Sequence, residues 1–240
     1  MAKDEFKPKI VLAIGAHPDD VEFGFGDSIA KWAKSGADVY CLILTDGSKG
    51  TVDMNISSKE LIKIREMEQR TAAKILGVRD VFFLGYTDSE LMLTLELKKQ
   101  ITRLIRKLMP DTVLTMDPTM VYSTSRGSGF INHPDHRVTA QAALDSVFPL
   151  ARDHLTFPDL LAEGLKPHKV STVLMTNFET HNFVVDISHD LDKKLAALAS
   201  HTSQMPDFES VKQRVTGWAV ALGKQYGHDY TEAFVRLDIG

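Results

Sequence analysis

Ile10-Val11-Leu12-Ala13-Ile14 leads through Gly15-Ala16 into His17-Pro18-Asp19-Asp20 and on to Val21-Glu22-Phe23-Gly24. Five apolar residues in a row, without alternation, read as a strand covered by helices on both faces. Pro18 suits a first helical turn, and helical spacing continues from Val21 to Lys34. An imidazole and two carboxylates thus stand where a strand hands over to a helix. In open α/β sheets that corner, at the carboxyl end of a strand, is where ligands bind.

The pattern repeats outward from this unit. Strands are expected at Ile10–Ile14, Val39–Leu44, Val81–Leu84, Val113–Met116 and Val170–Met175. Helices are expected at Val21–Lys34, Ser58–Leu76, Leu95–Met109 and Pro134–Val147, with Gly77 capping the second. This alternation implies a three-layer, Rossmann-like α/β fold around a mostly parallel sheet. Two helices should follow, Asp190–Ala199 and Glu209–Gly223, with Phe234–Leu237 as a last strand or an extended tail. The Gly/Ser-rich loop from Asp117 to Asn132 reads as a lid or as a simple insertion.

At 240 residues the chain suits one domain, 1–240. With 43% hydrophobic and 25% charged residues and a net charge of −4, it has ordinary globular composition and no basic surface for nucleic acid. Cys41 is the only cysteine and sits in an apolar run, so no disulfide is expected and burial is. Asp4, Glu5 and the polar motif at 17–20 interrupt any leader-like segment, and no apolar stretch approaches a membrane span. The expected location is the cytoplasm, with no membrane partner.

A second motif, His133-Pro134-Asp135-His136, again opens an expected helix. Histidines and carboxylates three residues apart at a helix start can converge on one cation. A catalytic zinc takes three protein N/O ligands and keeps one position open. His17, Asp20 and one histidine of the second pair meet that need, leaving Asp19 and the other histidine for proton work. The same donors suit Fe²⁺, Co²⁺ or Ni²⁺. Gly24-Phe25-Gly26 lies inside the helix, so it is no dinucleotide fingerprint, and 46–51 lacks the phosphate-loop pattern.

AHPDDVEFG at 16–24, TDGSKGT at 45–51, IREMEQRTAAKILGV at 64–78, GYTDSEL at 85–91 and HPDHR at 133–137 resemble the LmbE-like, or PIG-L, zinc deacetylase family. DISHDLDKKLAALASHTSQ at 186–204 and YTEAF at 230–234 resemble its C-terminal region. The resemblance implies hydrolysis of the N-acetyl group of a small N-acetylglucosaminyl-type amino-sugar. It implies a zinc cofactor on His17, Asp20 and His136, with Asp19 as general base and then acid. His133 would be the protonated partner of the oxyanion, and Arg65 and Asp88 would contact the sugar. It is also compatible with a homo-oligomer. Ile131 stands where some members carry a tyrosine; Tyr122 and Tyr86 are the other nearby hydroxyls in the sequence. Hydrolysis of another amide or an ester, or a metal-pocket binding protein, are the competing readings.

Overall fold

The computed structural model describes residues 6–124, 129–177 and 179–239. The first half winds β1 (Ile10–Gly15), α1 (Asp20–Lys34), β2 (Asp38–Thr45), α2 (Ser58–Leu76) and β3 (Asp80–Tyr86) into two parallel crossovers. α3 (Leu95–Leu108) then carries the chain back to β4 (Thr112–Met116), which pairs parallel on the other side of β1. Strand order therefore reverses between β1 and β4, and the loops leaving their carboxyl ends diverge there. The two histidine motifs emerge at this switch point.

β5 (Tyr122–Ser123) and β6 (Phe130–Ile131) form a short antiparallel hairpin inside the loop expected as a lid. Ser125, Arg126, Gly127 and Ser128 of that loop lie outside the described residues. After the hairpin come α4 (Pro134–Asp145), α5 (Pro158–Ala162), β7 (Thr172–Thr176), β8 (Phe183–Asp186), α6 (Leu191–Ala199), α7 (Phe208–Tyr226) and β9 (Thr231–Asp238). The seven-stranded sheet runs β3-β2-β1-β4-β7-β9-β8. Its first five strands are parallel, and β9 runs antiparallel to both of its neighbours, β7 and β8. The expected tail is thus a strand inserted between β7 and β8. α4 stops two residues short of its expected end because Phe148, at φ −144° and ψ 127°, breaks the continuation.

The unbroken apolar runs have their reason in the two cores. Val11 and Ala13 of β1, with Val39, Cys41 and Ile43 of β2, face the side packed by α1, α2 and α6. Leu12, Ile14, Leu42 and Leu44 face the side packed by α3 and α4. Successive side chains point to opposite faces, so a strand covered twice needs apolar residues at every position. Among the described residues no helix is long and apolar enough to cross a membrane.

Candidate metal centre and active site

β1 ends at Gly15, and the chain must turn into α1 within four residues. Asp19 takes the turn at φ 92° and ψ −26°, a left-handed conformation that costs a non-glycine residue about 1–2 kcal/mol. Two side chains of α2 hold it. The Asp19 N–H donates to Gln69 Oε1 at 2.9 Å, and the Arg65 guanidinium donates to Pro18 O at 2.7 Å. Arg65 also donates to Gly47 O at 3.1 Å and lies 3.4 Å from the Asp19 carboxylate. Gly47, at φ +64°, and Gly50 make room for it. A Cβ at either would stand within 3 Å of the guanidinium, which explains the glycines of 45–51.

On the other side of the turn, Asp20 Oδ2 accepts the N–H groups of Ala16 and His17 at 3.0 and 2.7 Å. His17 Nδ1 is 3.4 Å from that oxygen, and His136 Nε2 is 3.1 Å from Asp20 Oδ1. His136 Nδ1 pairs with Asn132 Oδ1 at 3.0 Å, and Asn132 Nδ2 in turn donates to Met120 O. Asn132 thereby accepts the Nδ1–H and turns Nε2, the nitrogen a cation would take, toward Asp20; burial opposes charge on this ring, but the Asp20 carboxylate raises its pKa. The far nitrogen of His17, Nε2, meets Asp88 and Asp135, each at 3.2 Å. Asp135 also accepts the Ser89 N–H at 2.7 Å, and Asp88 accepts the Lys49 N–H at 3.1 Å.

Burial opposes charge on His17, yet the ionised Asp135, Asp20 and Asp88 together push its pKa up to about 12. Burial likewise works against Asp20 ionisation, but the His136 and His17 imidazoles hold it well below the usual carboxylate range. Three carboxylates gathered round one buried imidazole are a site built for positive charge. Two donor groups share His17, each with ligand atoms within 4.8 Å of one another: His17, Asp20 and His136, and His17, Asp88, His133 and Asp135. Imidazole and carboxylate donors in such numbers fit a divalent cation.

Asp19 has a different character. Burial and the neighbouring Asp20 carboxylate raise its pKa to about 7, against the opposing pull of Arg65 and His201. His133 caps the start of α4, and its Nδ1 accepts the Asp135 N–H at 3.2 Å, so the ring proton sits on Nε2. Burial and the His17 and His136 rings push its pKa down. The Asp135 carboxylate is committed to His17 and Ser89 and stays 3.9 Å from His133 Nδ1.

All seven expected site residues therefore gather at one place. Arg65 and Asp88 are only 4% exposed and are directed at Asp19 and His17 rather than at an opening. Sequence reading missed Gln69 and Asn132. Asn132 stands immediately before the second motif and could have been suspected there. Tyr122, directly opposite Ile131 in the hairpin and well exposed, brings a hydroxyl to the neighbourhood of the missing tyrosine.

A profile of the PIG-L family, described as GlcNAc-PI de-N-acetylase, matches residues 12–147. A diacetylchitobiose deacetylase of Thermococcus kodakarensis is 38% identical over 226 residues, covering 93% of this chain and 81% of that protein. A probable N-acetyl-alpha-D-glucosaminyl L-malate deacetylase 2 of Bacillus anthracis is 27% identical, over 81% of this chain and 80% of that protein. The solved N,N'-diacetylchitobiose deacetylase from Pyrococcus horikoshii, complexed with its inhibitor MPG, superposes with a TM-score of 0.88 at 34% identity. That alignment covers 96% of this chain and 84% of the other. The matched span carries both histidine motifs and the switch point between β1 and β4, and on these grounds the chain belongs to the PIG-L, or LmbE-like, family of hydrolytic N-deacetylases.

Proposed function

We propose that the chain is a zinc-dependent N-deacetylase acting on an N-acetylglucosaminyl unit of a small saccharide or conjugate. The observation that carries this reading is the juxtaposition of a buried carboxyl near neutral pKa, Asp19, with the donor set His17, Asp20 and His136.

Among the carboxylates, exposure favours Asp20: its side chain is 11% exposed, whereas those of Asp88 and Asp135 are 5% and 1%. His136 and His133, at 25% and 36%, both reach the open side. A catalytic cation must keep one position open to solvent and substrate. His17, Asp20 and His136 would hold it. Asp88 and Asp135 would then accept the Nε2–H of His17 and orient the ring, the usual carboxylate–histidine support behind a metal ligand. A divalent cation so held acidifies water towards neutral pH and polarises an amide carbonyl.

Asp19 takes the proton of the attacking water, because a carboxyl near pKa 7 can both accept and return a proton at neutral pH. The same carboxyl then delivers that proton to the departing amine, leaving acetate. His133 presents Nε2–H to the carbonyl oxygen as negative charge grows there, and needs no extra proton to do so. Arg65 keeps the Asp19 turn in place. The N-acetylglucosaminyl preference rests on the relatives, two of which are named for diacetylchitobiose.

Acetate release from N,N'-diacetylchitobiose and other N-acetylglucosaminyl compounds tests the reading, beside metal analysis of each variant. The zinc-loaded protein should turn over. Asp19→Asn should keep its metal and lose roughly 10²–10⁴-fold in rate, while His136→Ala should lose the metal. Full turnover by Asp19→Asn, or loss of its metal, would overturn the division between ligand and base.

A further inference from the structure

Asp19 carries a backbone conformation that non-glycine residues rarely adopt, and its own side chain makes no capping bond to α1. Something outside the turn must hold it. The Asp19 N–H is satisfied by one group, the side-chain carbonyl of Gln69, fifty positions along the chain on α2. The other end of that amide, Nε2, donates to Glu22 Oε1 at 2.7 Å. Glu22 Oε2 lies 3.6 Å from His201 Nε2, beyond the end of α6. Gln69, Glu22 and His201 are all 0% exposed.

The amide orientation is dictated by chemistry. A backbone N–H can only donate and a carboxylate can only accept, so Gln69 must turn its oxygen to Asp19 and its nitrogen to Glu22. A glutamate alone at 69 would face another carboxylate, and an apolar residue would satisfy neither neighbour. Glu22 fixes the amide, and the His201 imidazole faces the other Glu22 oxygen at ion-pair distance. Three elements, α1, α2 and the segment after α6, converge on one peptide N–H beside the reacting centre.

We infer that Gln69, set by Glu22 and His201, is a positioning residue that locks the Asp19 turn and so aims the base at the substrate carbonyl. This rests on the reading of Asp19 as general base. Arg65 grips the preceding carbonyl, Pro18 O, from the same helix face. The turn is therefore held on both sides of the Pro18–Asp19 peptide, and neither residue need touch substrate.

Two double variants separate positioning from packing. Glu22→Gln with Gln69→Met removes the hold without stranding a buried carboxylate. Glu22→Gln with Gln69→Glu rebuilds it in reverse, Gln at 22 donating to the carboxylate at 69, which accepts the Asp19 N–H. The first should lose roughly 10- to 100-fold in kcat, as misplacement by an ångström does. Its KM should stay within about two-fold and its metal content should be full, since neither substrate nor cation binding is touched. The second should recover most of that kcat. Wild-type kcat in the first variant, equal losses in both, or a loss confined to KM or metal content would overturn the inference. Asp19→Asn runs alongside. Turnover surviving there overturns the base reading and this role with it. Turnover lost there but intact in the Gln69→Met pair overturns only the positioning role.

Discussion

Asp19 sits between opposing influences that can be moved one at a time. Burial and the Asp20 carboxylate favour its neutral form; the Arg65 cation, 3.4 Å away, favours the ionised one. In the proposed role of general base it must be ionised, so kcat/KM should fall on the acid side as it takes up a proton. Arg65→Gln removes a lowering influence, so Asp19 should titrate higher and the acid limb should move up by about one pH unit or more. A pH profile of kcat/KM checks this; an unmoved limb, or one displaced downward, would assign the titration to another group. At this scale the two motifs were readable because spacing alone carries them: His17 with Asp20, and His133 with His136. Gln69 and Asn132 were not. A polar residue on a helix or loop reads as solvated until the contact that buries it is known, and the Gln69 contact crosses fifty positions.

Elements were legible where local rules act alone. Ser57 and Glu60 form a capping box at the start of α2, and Gly77 ends it at φ +81°, so its bounds match expectation. The β9–β8 edge of the sheet was not legible. β8 is four residues long, and β9 enters antiparallel between it and β7, pairings that no local pattern announces. The approach of α7 to β9 depends on one residue. A Cβ on Gly223 would stand 2.6 Å from His228 O and 2.7 Å from Asp229 O, both backbone atoms that cannot swing aside. Gly223→Ala should cost about 1–3 kcal/mol, a fall in melting temperature of roughly 2–4 °C per kcal/mol for a chain of this size. Thermal unfolding measures it. The atoms that the Cβ would meet belong to His228 and Asp229 and to none of the site residues, so kcat should stay unchanged in the folded fraction.

Across the whole molecule, α1, α6 and β9 are joined by a buried charge cluster. Lys194 Nζ pairs with Glu232 Oε1 at 2.6 Å and lies 3.6 Å from Asp27, while Ser28 donates to the other Glu232 oxygen. Burial drives Asp27 up to about 8 despite the opposing Lys194 cation. An unfolded aspartate titrates near 3.8, so the folded chain keeps a proton that the unfolded chain has released. That contribution, on the order of a few kcal/mol, is full below pH about 4 and is lost as pH rises through about 8. Melting temperature should therefore drop between about pH 4 and 8 and level off above that, and Asp27→Asn should flatten the drop; equal slopes in both proteins would refute it. The sequence by itself determined the layered α/β class, the parallel half of the sheet and the metal-ligating types, because strand and helix periods and short ligand spacings are local. Only the tertiary structure decided which carboxylate stands beside His136 and which two close on His17 Nε2. It alone brought Gln69, Glu22 and His201 to the Asp19 turn, and Asp27 to Lys194 and Glu232. Those choices depend on which elements pack together, and burial with its local partners then pushes the Asp19 pKa up and leaves that of Asp20 low.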